Sequence, residues 1–372
     1  VNRFVIEPDS YYNSGIPTKG DSHMRRRDYF STLFPQGIPT LWCPLISHYT
    51  DEGNFNTERM AAHIEYLAPY VQAFLAPGST GDGWEMSSDE RTGLIELLLP
   101  LTEQVNGHLL VGVLETDRGK AADTVAALKK NYTPGETSGY AGVTITAPRG
   151  SELTQTSIFD ELAAVLDHGV PTALYQLPQV TENEIDPCTA EDLANKYSNF
   201  YLFKDTSGKD KVARSGRLPD DLFLVRGAEG NYAEWLKGLG GPYHGFLLST
   251  ANNFAPQLSR VIELSTLAAV QGAGGAHSIE ASEAAREAYS ISNTLSTVVD
   301  TAFNTVSTLP FGNPFANANK AIDHIMAYGA GFDAVQPPLT HSGNRIPAEI
   351  TSSLADVLRR HELFPQTGYL EH

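Results

Sequence analysis

From residue 38 onward, short apolar runs alternate with longer stretches in which apolar residues recur every three or four positions. The first pattern marks a buried strand and the second an amphipathic helix. Strands are predicted at 38–46, 71–77, 109–114, 142–147, 171–176, 200–204, 222–226 and 243–248. Helices are predicted at 57–69, 88–104, 119–131, 155–167, 189–197, 210–217, 231–239 and 255–268. Eight such strand–helix units are the number that closes a (β/α)8 TIM barrel of the α/β class. A doubly wound open sheet is the alternative. The barrel is preferred because the eighth strand still leads into a helix and no dinucleotide-binding loop follows the first. Gly78-Ser79-Thr80-Gly81 matches neither Gly-rich nucleotide-binding pattern.

The two flanks read differently. Residues 1–36 are polar, with Pro, Gly, Tyr and the basic run Arg25-Arg26-Arg27. They are expected to form an irregular N-terminal arm, either disordered or wrapped over the body or a neighbouring subunit. At the other end, Gln271-Gly272-Ala273-Gly274-Gly275-Ala276 reads as a flexible joint. Helical patterns follow at about 278–307, 316–328 and 347–360. The expected division is therefore an arm (1–36), a catalytic barrel (37–270) and a C-terminal helical region (271–372). The last is expected to be an appendage without chemistry of its own.

Composition narrows the partners. The chain has 372 residues, of which 41% are hydrophobic and 19% charged, as in ordinary globular proteins. A net charge of −18 argues against nucleic acid or an anionic membrane as partner. Two cysteines, Cys43 and Cys188, suffice neither for a disulfide framework nor for a Cys-based metal cluster, and they suit a reducing, cytoplasmic setting. No apolar run is long enough to span a bilayer, and no secretory signal is expected from the first residues.

Chemistry in such a barrel belongs to the residues just past the strands. Lys204 ends the sixth strand, in Phe203-Lys204-Asp205-Thr206-Ser207-Gly208. A solvated lysine has a pKa of about 10.4, whereas burial disfavours the charged form. The neutral amine can attack a ketone and form a Schiff base. The plain alternative is a lysine whose stem is buried and whose charge reaches water. Past the second strand, the hydroxyls and amides of Gly78-Ser79-Thr80-Gly81 form a cradle for a carboxylate, or an ordinary tight turn. Past the fifth, Tyr175 is either a proton-transfer phenol facing Lys204 or a core tyrosine. Gly227, Glu229 and Ser249 follow strands seven and eight, in loops that hold hydroxyl-binding groups or helix caps. No His pair at ligand spacing marks a metal site, and no cofactor is expected.

Taken together, Gly78-Ser79-Thr80-Gly81-Asp82, Leu174-Tyr175-Gln176-Leu177-Pro178, the Lys204 segment and Ser249-Thr250-Ala251-Asn252 resemble the dihydrodipicolinate synthase/N-acetylneuraminate lyase family of class I, pyruvate-type aldolases. The resemblance spans roughly residues 37–365, including Asn313-Pro314 and Pro337-Pro338-Leu339-Thr340. It implies that Lys204 is the Schiff-base lysine, Tyr175 the proton-transfer tyrosine, and Ser79 and Thr80 the carboxylate-holding and proton-relaying pair. It also implies substrate contacts at Gly227, Glu229 and Ser249; Leu247 and Arg149 are added to the expected substrate-binding set. The implied partners are an α-keto acid and an aldehyde, and the implied assembly is a homo-oligomer, a tetramer or a dimer.

The departures matter as well. Val180 stands where dihydrodipicolinate synthases carry an arginine for the aldehyde's carboxylate. Thr146-Ala147-Pro148-Arg149-Gly150 lacks their tyrosine pair after the fourth strand. Asp82 replaces the usual glutamate. Arg149 either supplies a compensating cation at the mouth or sits in solvent. The lysine-biosynthetic reaction is therefore disfavoured, and Glu229 with Ser249 points towards a hydroxylated keto acid. Alternatives are a dihydrodipicolinate synthase or keto-acid dehydratase of the same family, a metal-dependent barrel enzyme, and a barrel that binds a keto acid without turning it over.

Overall fold

The computed structural model describes residues 25–272 and 279–371. Eight parallel strands close into a barrel in chain order: β1 (Leu41–Pro44), β2 (Ala73–Ala76), β3 (His108–Val113), β4 (Tyr140–Thr146), β5 (Thr172–Gln176), β6 (Phe200–Asp205), β7 (Phe223–Arg226) and β8 (Gly245–Leu247). The helices are α1 (Arg26–Leu33), α2 (Thr57–Leu67), α3 (Ser88–Gln104), α4 (Lys120–Asn131), α5 (Gln155–Leu166), α6 (Pro178–Thr181), α7 (Pro187–Lys196), α8 (Lys211–Arg214), α9 (Ala251–Gly272), α10 (Ile279–Val306), α11 (Pro314–Tyr328) and α12 (Ala348–Arg360). Local chemistry sets many of the helix starts. Ser87 and Glu90 form a reciprocal capping box before α3, and Asn56, Thr154 and Asn313 cap α2, α5 and α11.

Two predicted helices are cut short. In place of 210–217 there is only α8, which ends at Ser215 and Gly216, the latter at φ +65°. In place of 231–239 stand two 3₁₀ turns, Tyr232–Trp235 and Lys237–Leu239. Gly238 lies so close to α9 that a Cβ there would sit 2.2 Å from the Ser265 carbonyl oxygen. The chain at this point needs a glycine rather than a good helix former.

The expected arm is corrected in part. Residues 1–24 lie outside the described residues, but α1 is a regular helix that closes the strand-start end of the barrel. Phe30 and Leu33 of α1, with Phe34 that caps it, pack on the interior residues Trp42, Ala73, Leu75, Leu110, Ala173, Leu202 and Val225. The Phe34 ring meets Trp42 at 5.7 Å and His108 at 4.9 Å, edge on. The buried Arg26 donates to the Phe200 carbonyl at 2.7 Å and also pairs with Asp221. A Phe34→Ala variant is expected to lose about 3–5 kcal/mol of stability, read as a lower denaturant midpoint. Keto-acid trapping at the far end of the barrel is expected to be unchanged.

The joint predicted at 271–276 falls largely outside the described residues; α9 runs up to it and α10 begins beyond it. The C-terminal helices are not a detached appendage. Helix α10 lies along α9, and its Ser292 and Ser296 accept the Ala233 and Asn231 amides of the loop after β7. Helix α11 reaches the turn that follows β2. Among the described residues no helix is long and apolar enough to cross a membrane.

Candidate active site

Strand register puts Lys204 beside Tyr175 on one side and Val225 on the other, so the three side chains share the interior face. Lys204 is 5% exposed and Tyr175 3%. The Lys204 Nζ lies 3.9 Å from the centroid of the Tyr175 ring. Burial lowers the Lys204 pKa from its ordinary value, while Tyr175 and Glu229 act in the other direction. The amine is thus shielded from water and held against the phenol, and the solvent-reaching alternative does not hold.

Gly227 explains how the lysine fits. A Cβ there would sit 2.3 Å from the Thr206 Oγ1 and 3.0 Å from the Lys204 Cε, so only glycine leaves room for both. Its amide donates to the Asp205 carbonyl at 2.6 Å, which ties the end of β7 to the end of β6.

Glu229 is the hub of a hydrogen-bonded group beside Lys204. Its Oε1 accepts from the Ser249 hydroxyl at 2.6 Å and the Thr250 amide at 3.2 Å. Its Oε2 accepts from the Thr250 hydroxyl at 2.6 Å and the Tyr232 hydroxyl at 3.0 Å. Burial and the neighbouring carboxylate push the Tyr232 phenol well up, so it stays a donor. Ser249 and Thr250 commit their protons to Glu229, and the Thr250 oxygen also lies 3.1 Å from the Tyr232 hydroxyl.

The turn after β2 runs through a 3₁₀ turn, Ser79–Gly81, at the same end of the barrel as Lys204. Thr80 is buried, and the Ser79 hydroxyl accepts from the Trp84 indole at 2.8 Å. Asp82 ends the turn at φ +61°, a left-handed conformation that Asp tolerates better than Glu. Its carboxylate meets the ammonium of Lys320, from α11, at 2.6 Å, and both side chains are 1% exposed. The Tyr49 hydroxyl donates to the same oxygen at 3.1 Å.

Two of the expected residues are placed otherwise. Leu247 is fully buried in the apolar barrel interior with Trp42, Leu75 and Val225, where it packs and presents no surface to a ligand. Arg149 lies exposed on the rim and is paired with Glu182, which answers its positive charge locally. The structure also adds residues that the spacing did not single out. Thr206, two residues past Lys204, has a buried hydroxyl without a partner among the described residues. Thr250 and Tyr232 bond Glu229, Trp84 and Asn313 bond Ser79, and Lys320 pairs with Asp82 at the end of the same turn. Thr206, Thr250 and Asn313 stood inside recognisable segments, and Gly83-Trp84 after Asp82 was a visible departure from the family pattern; Tyr232 and Lys320 carried no local signal.

Nearby, His48, His63 and Asp323 come together, although their spacing in the chain marked no metal site. Their ligand atoms all lie within 4.8 Å of one another. The carboxylate is already answered: Arg59 donates to one oxygen at 2.5 Å and the Tyr369 hydroxyl to the other at 2.8 Å. Burial first, then Arg59, His63 and Lys320, hold His48 well below its usual pKa. Arg59 supplies the cation of this cluster, and the donor set fits a clamp between α2 and α11 better than a divalent ion.

The dihydrodipicolinate synthetase family profile matches residues 39–278. A 4-hydroxy-tetrahydrodipicolinate synthase of Agrobacterium fabrum is 24% identical over 242 residues, 63% of this chain and 76% of that protein. One of Erwinia tasmaniensis is 27% identical over 228 residues, 60% of this chain and 73% of its own length. Among solved structures, dihydrodipicolinate synthase from Aquifex aeolicus superposes with a TM-score of 0.65 at 17% identity, covering 89% of this chain and 100% of that one. A prophage protein of the same family from E. coli K12, in complex with pyruvate, superposes with a TM-score of 0.63 at 16% identity, covering 87% and 98%. The profile match takes in both Lys204 and Tyr175, and the chain belongs to the dihydrodipicolinate synthetase family, pyruvate-dependent lyases and synthases that work through a lysine Schiff base.

Proposed function

We propose that this enzyme makes or breaks the carbon–carbon bond one carbon removed from the carbonyl of an α-keto acid, through an imine on Lys204. The observation that carries the reading is the amine of Lys204, desolvated and held against the Tyr175 ring at the open end of the barrel. The keto-acid carboxylate sits in the Ser79–Thr80 turn. Neutral Lys204 adds to the ketone, giving a carbinolamine. Tyr175 passes a proton to the departing hydroxyl, water leaves, and an iminium remains. The bond beyond the adjacent carbon then breaks: the hydroxyl on the departing carbon gives its proton to the Tyr175 phenolate, the iminium takes up the bond's electron pair, and an enamine and an aldehyde result. Run in reverse, the enamine attacks an aldehyde. The electron sink is the iminium itself.

The acceptor end favours hydroxyls over a second carboxylate. Val180 and the Glu182-paired Arg149 offer no free charge where a synthase holds the aldehyde's carboxylate. Glu229 adds negative charge, and the Ser249 and Thr250 oxygens with the unpartnered Thr206 hydroxyl suit a polyol. A synthase reaction, favoured by the relatives' names, is the second reading. A pyruvate-release screen over 2-keto-3-deoxy sugar acids, set beside a synthase assay, decides between them; release from none of the sugar acids removes the polyol reading. A homo-oligomer in a reducing, cytoplasmic setting completes the proposal. Sedimentation tests the assembly, with a monomer counting against it.

Tyr175→Phe is expected to lower turnover by about 10²- to 10⁴-fold while pyruvate still binds. Isothermal titration with pyruvate and a turnover assay on the same preparation check this. Turnover close to wild type removes the phenol from the mechanism.

A further inference from the structure

The turn that meets the keto acid is held from outside the barrel. Two side chains of α11 and its cap reach it. Asn313 uses its amide oxygen as the N-cap, accepting the Ala316 N–H at 2.8 Å. Its Nδ2 points the other way and donates to the Ser79 carbonyl at 3.1 Å and to the Glu85 carboxylate at 3.2 Å. Seven residues on, Lys320 donates to Asp82 at 2.6 Å, to the Ser47 carbonyl at 2.7 Å and to the Leu339 carbonyl at 3.4 Å. Its ammonium also lies 4.4 Å from the centroid of the Tyr49 ring. Both ends of the segment 79–82 are thus pinned by one helix of the C-terminal region.

The chemistry at Ser79 gives this contact a purpose beyond packing. The Ser79 carbonyl and the Thr80 N–H belong to one peptide group. A donor on the carbonyl oxygen draws electron density through the amide and makes the N–H a stronger donor. It also fixes the plane of that peptide. A buried ion pair is weak evidence of stabilisation for its own sake, since desolvation offsets much of its attraction. One that closes a short turn against a distant helix restricts where the turn can go.

We propose that Asn313 and Lys320 are positioning residues for the keto-acid carboxylate, so that the C-terminal helices complete the binding turn. This rests on the reading that the Ser79–Thr80 turn holds that carboxylate. Asn313 orients and polarises the Ser79–Thr80 peptide, and Lys320 anchors its far end through Asp82. Neither touches the reacting carbon, so their effect belongs to capture of the acid and not to imine chemistry.

The test uses Asn313→Ser. Serine keeps an N-cap acceptor for α11 but is too short to reach the Ser79 carbonyl. Borohydride trapping is followed at low ketone concentration with pyruvate and with hydroxyacetone, a ketone of similar size that lacks the carboxylate. The pyruvate second-order rate is expected to fall about 3- to 10-fold, the worth of one hydrogen bond. The hydroxyacetone rate, the trapping rate at saturating pyruvate and the thermal midpoint are expected to stay as in the wild type. The paired variant Asp82→Asn/Lys320→Met, which removes both buried charges, is expected to show the same selectivity for pyruvate. An unchanged pyruvate rate in Asn313→Ser, or an equal fall with both ketones, overturns the proposal while leaving the imine reading intact. Wild-type protein that traps neither ketone overturns the imine reading itself, and this proposal with it.

Discussion

Lys204→Ala is expected to form no borohydride-stable adduct with pyruvate and to lose about 10⁴-fold or more in turnover, in line with the loss of a covalent nucleophile. Among the described residues, this amine is the one that register and burial place beside the Tyr175 phenol. It lies one residue before the end of β6 on the interior face, its stem runs past Gly227, and its nitrogen rests on the Tyr175 ring. Intact mass after reduction measures the adduct directly. A second variant, Lys204→Arg, keeps the length and the charge but has no amine to form an imine. It is expected to be as inactive as the alanine form. An adduct of wild-type yield in either variant, carried by another lysine, would falsify the assignment.

The pH dependence follows from the same group. Imine formation needs the neutral amine, and burial lowers the Lys204 pKa from its ordinary value. Trapping in the wild type is therefore expected to rise with pH as the amine loses its proton. It should level off below the range of about 10.4 at which a solvated lysine titrates. Tyr175 and Glu229 favour the protonated form, so their removal moves the rise to still lower pH. A profile that climbs only with solvated lysine would contradict the buried-amine geometry.

Lys320→Met carries the largest expected effect on stability. The variant leaves the Asp82 carboxylate 1% exposed with the Tyr49 hydroxyl at 3.1 Å in place of an ion pair. Breaking one side of a buried pair costs about 3–5 kcal/mol, because the remaining charge stays desolvated. Asp82→Asn in the same chain removes that charge and suits the left-handed backbone at this position. Most of the lost stability is expected to return in the double variant. Urea unfolding of the single and double variants measures both quantities, provided the slope stays constant. A single variant within about 1 kcal/mol of wild type, well under the expected cost, shows that the pair is not held as drawn.

Much of the scaffold was legible because the signal for it is local. An apolar run of strand length followed by a helical period marks a strand–helix unit wherever the units end up, and the eight units imply closure. The same locality pointed to Lys204 and Tyr175 near the ends of β6 and β5, and to Ser79 and Thr80 just past β2, where a barrel gathers its chemistry. It failed where local propensity met a tertiary demand. The stretch 231–239 has helical periodicity, yet Gly238 must lie flush against α9, and two 3₁₀ turns result. Polar residues around 26–34 looked irregular because their partners are remote: Arg26 meets Asp221, 195 positions away.

By itself, then, the sequence determined the barrel, the family and the lysine and tyrosine at its centre, since periodicity and short motifs are properties of neighbouring residues. Only the tertiary structure decided that α1 closes the barrel floor, that Leu247 packs and Arg149 is paired at the rim, and that Lys320 reaches Asp82 across 238 positions. Periodicity records which face of an element is buried and carries no information about which other face it meets. Burial in a low dielectric sets the Lys204 amine and the Asp82–Lys320 pair, and that environment exists only once the chain has folded around them.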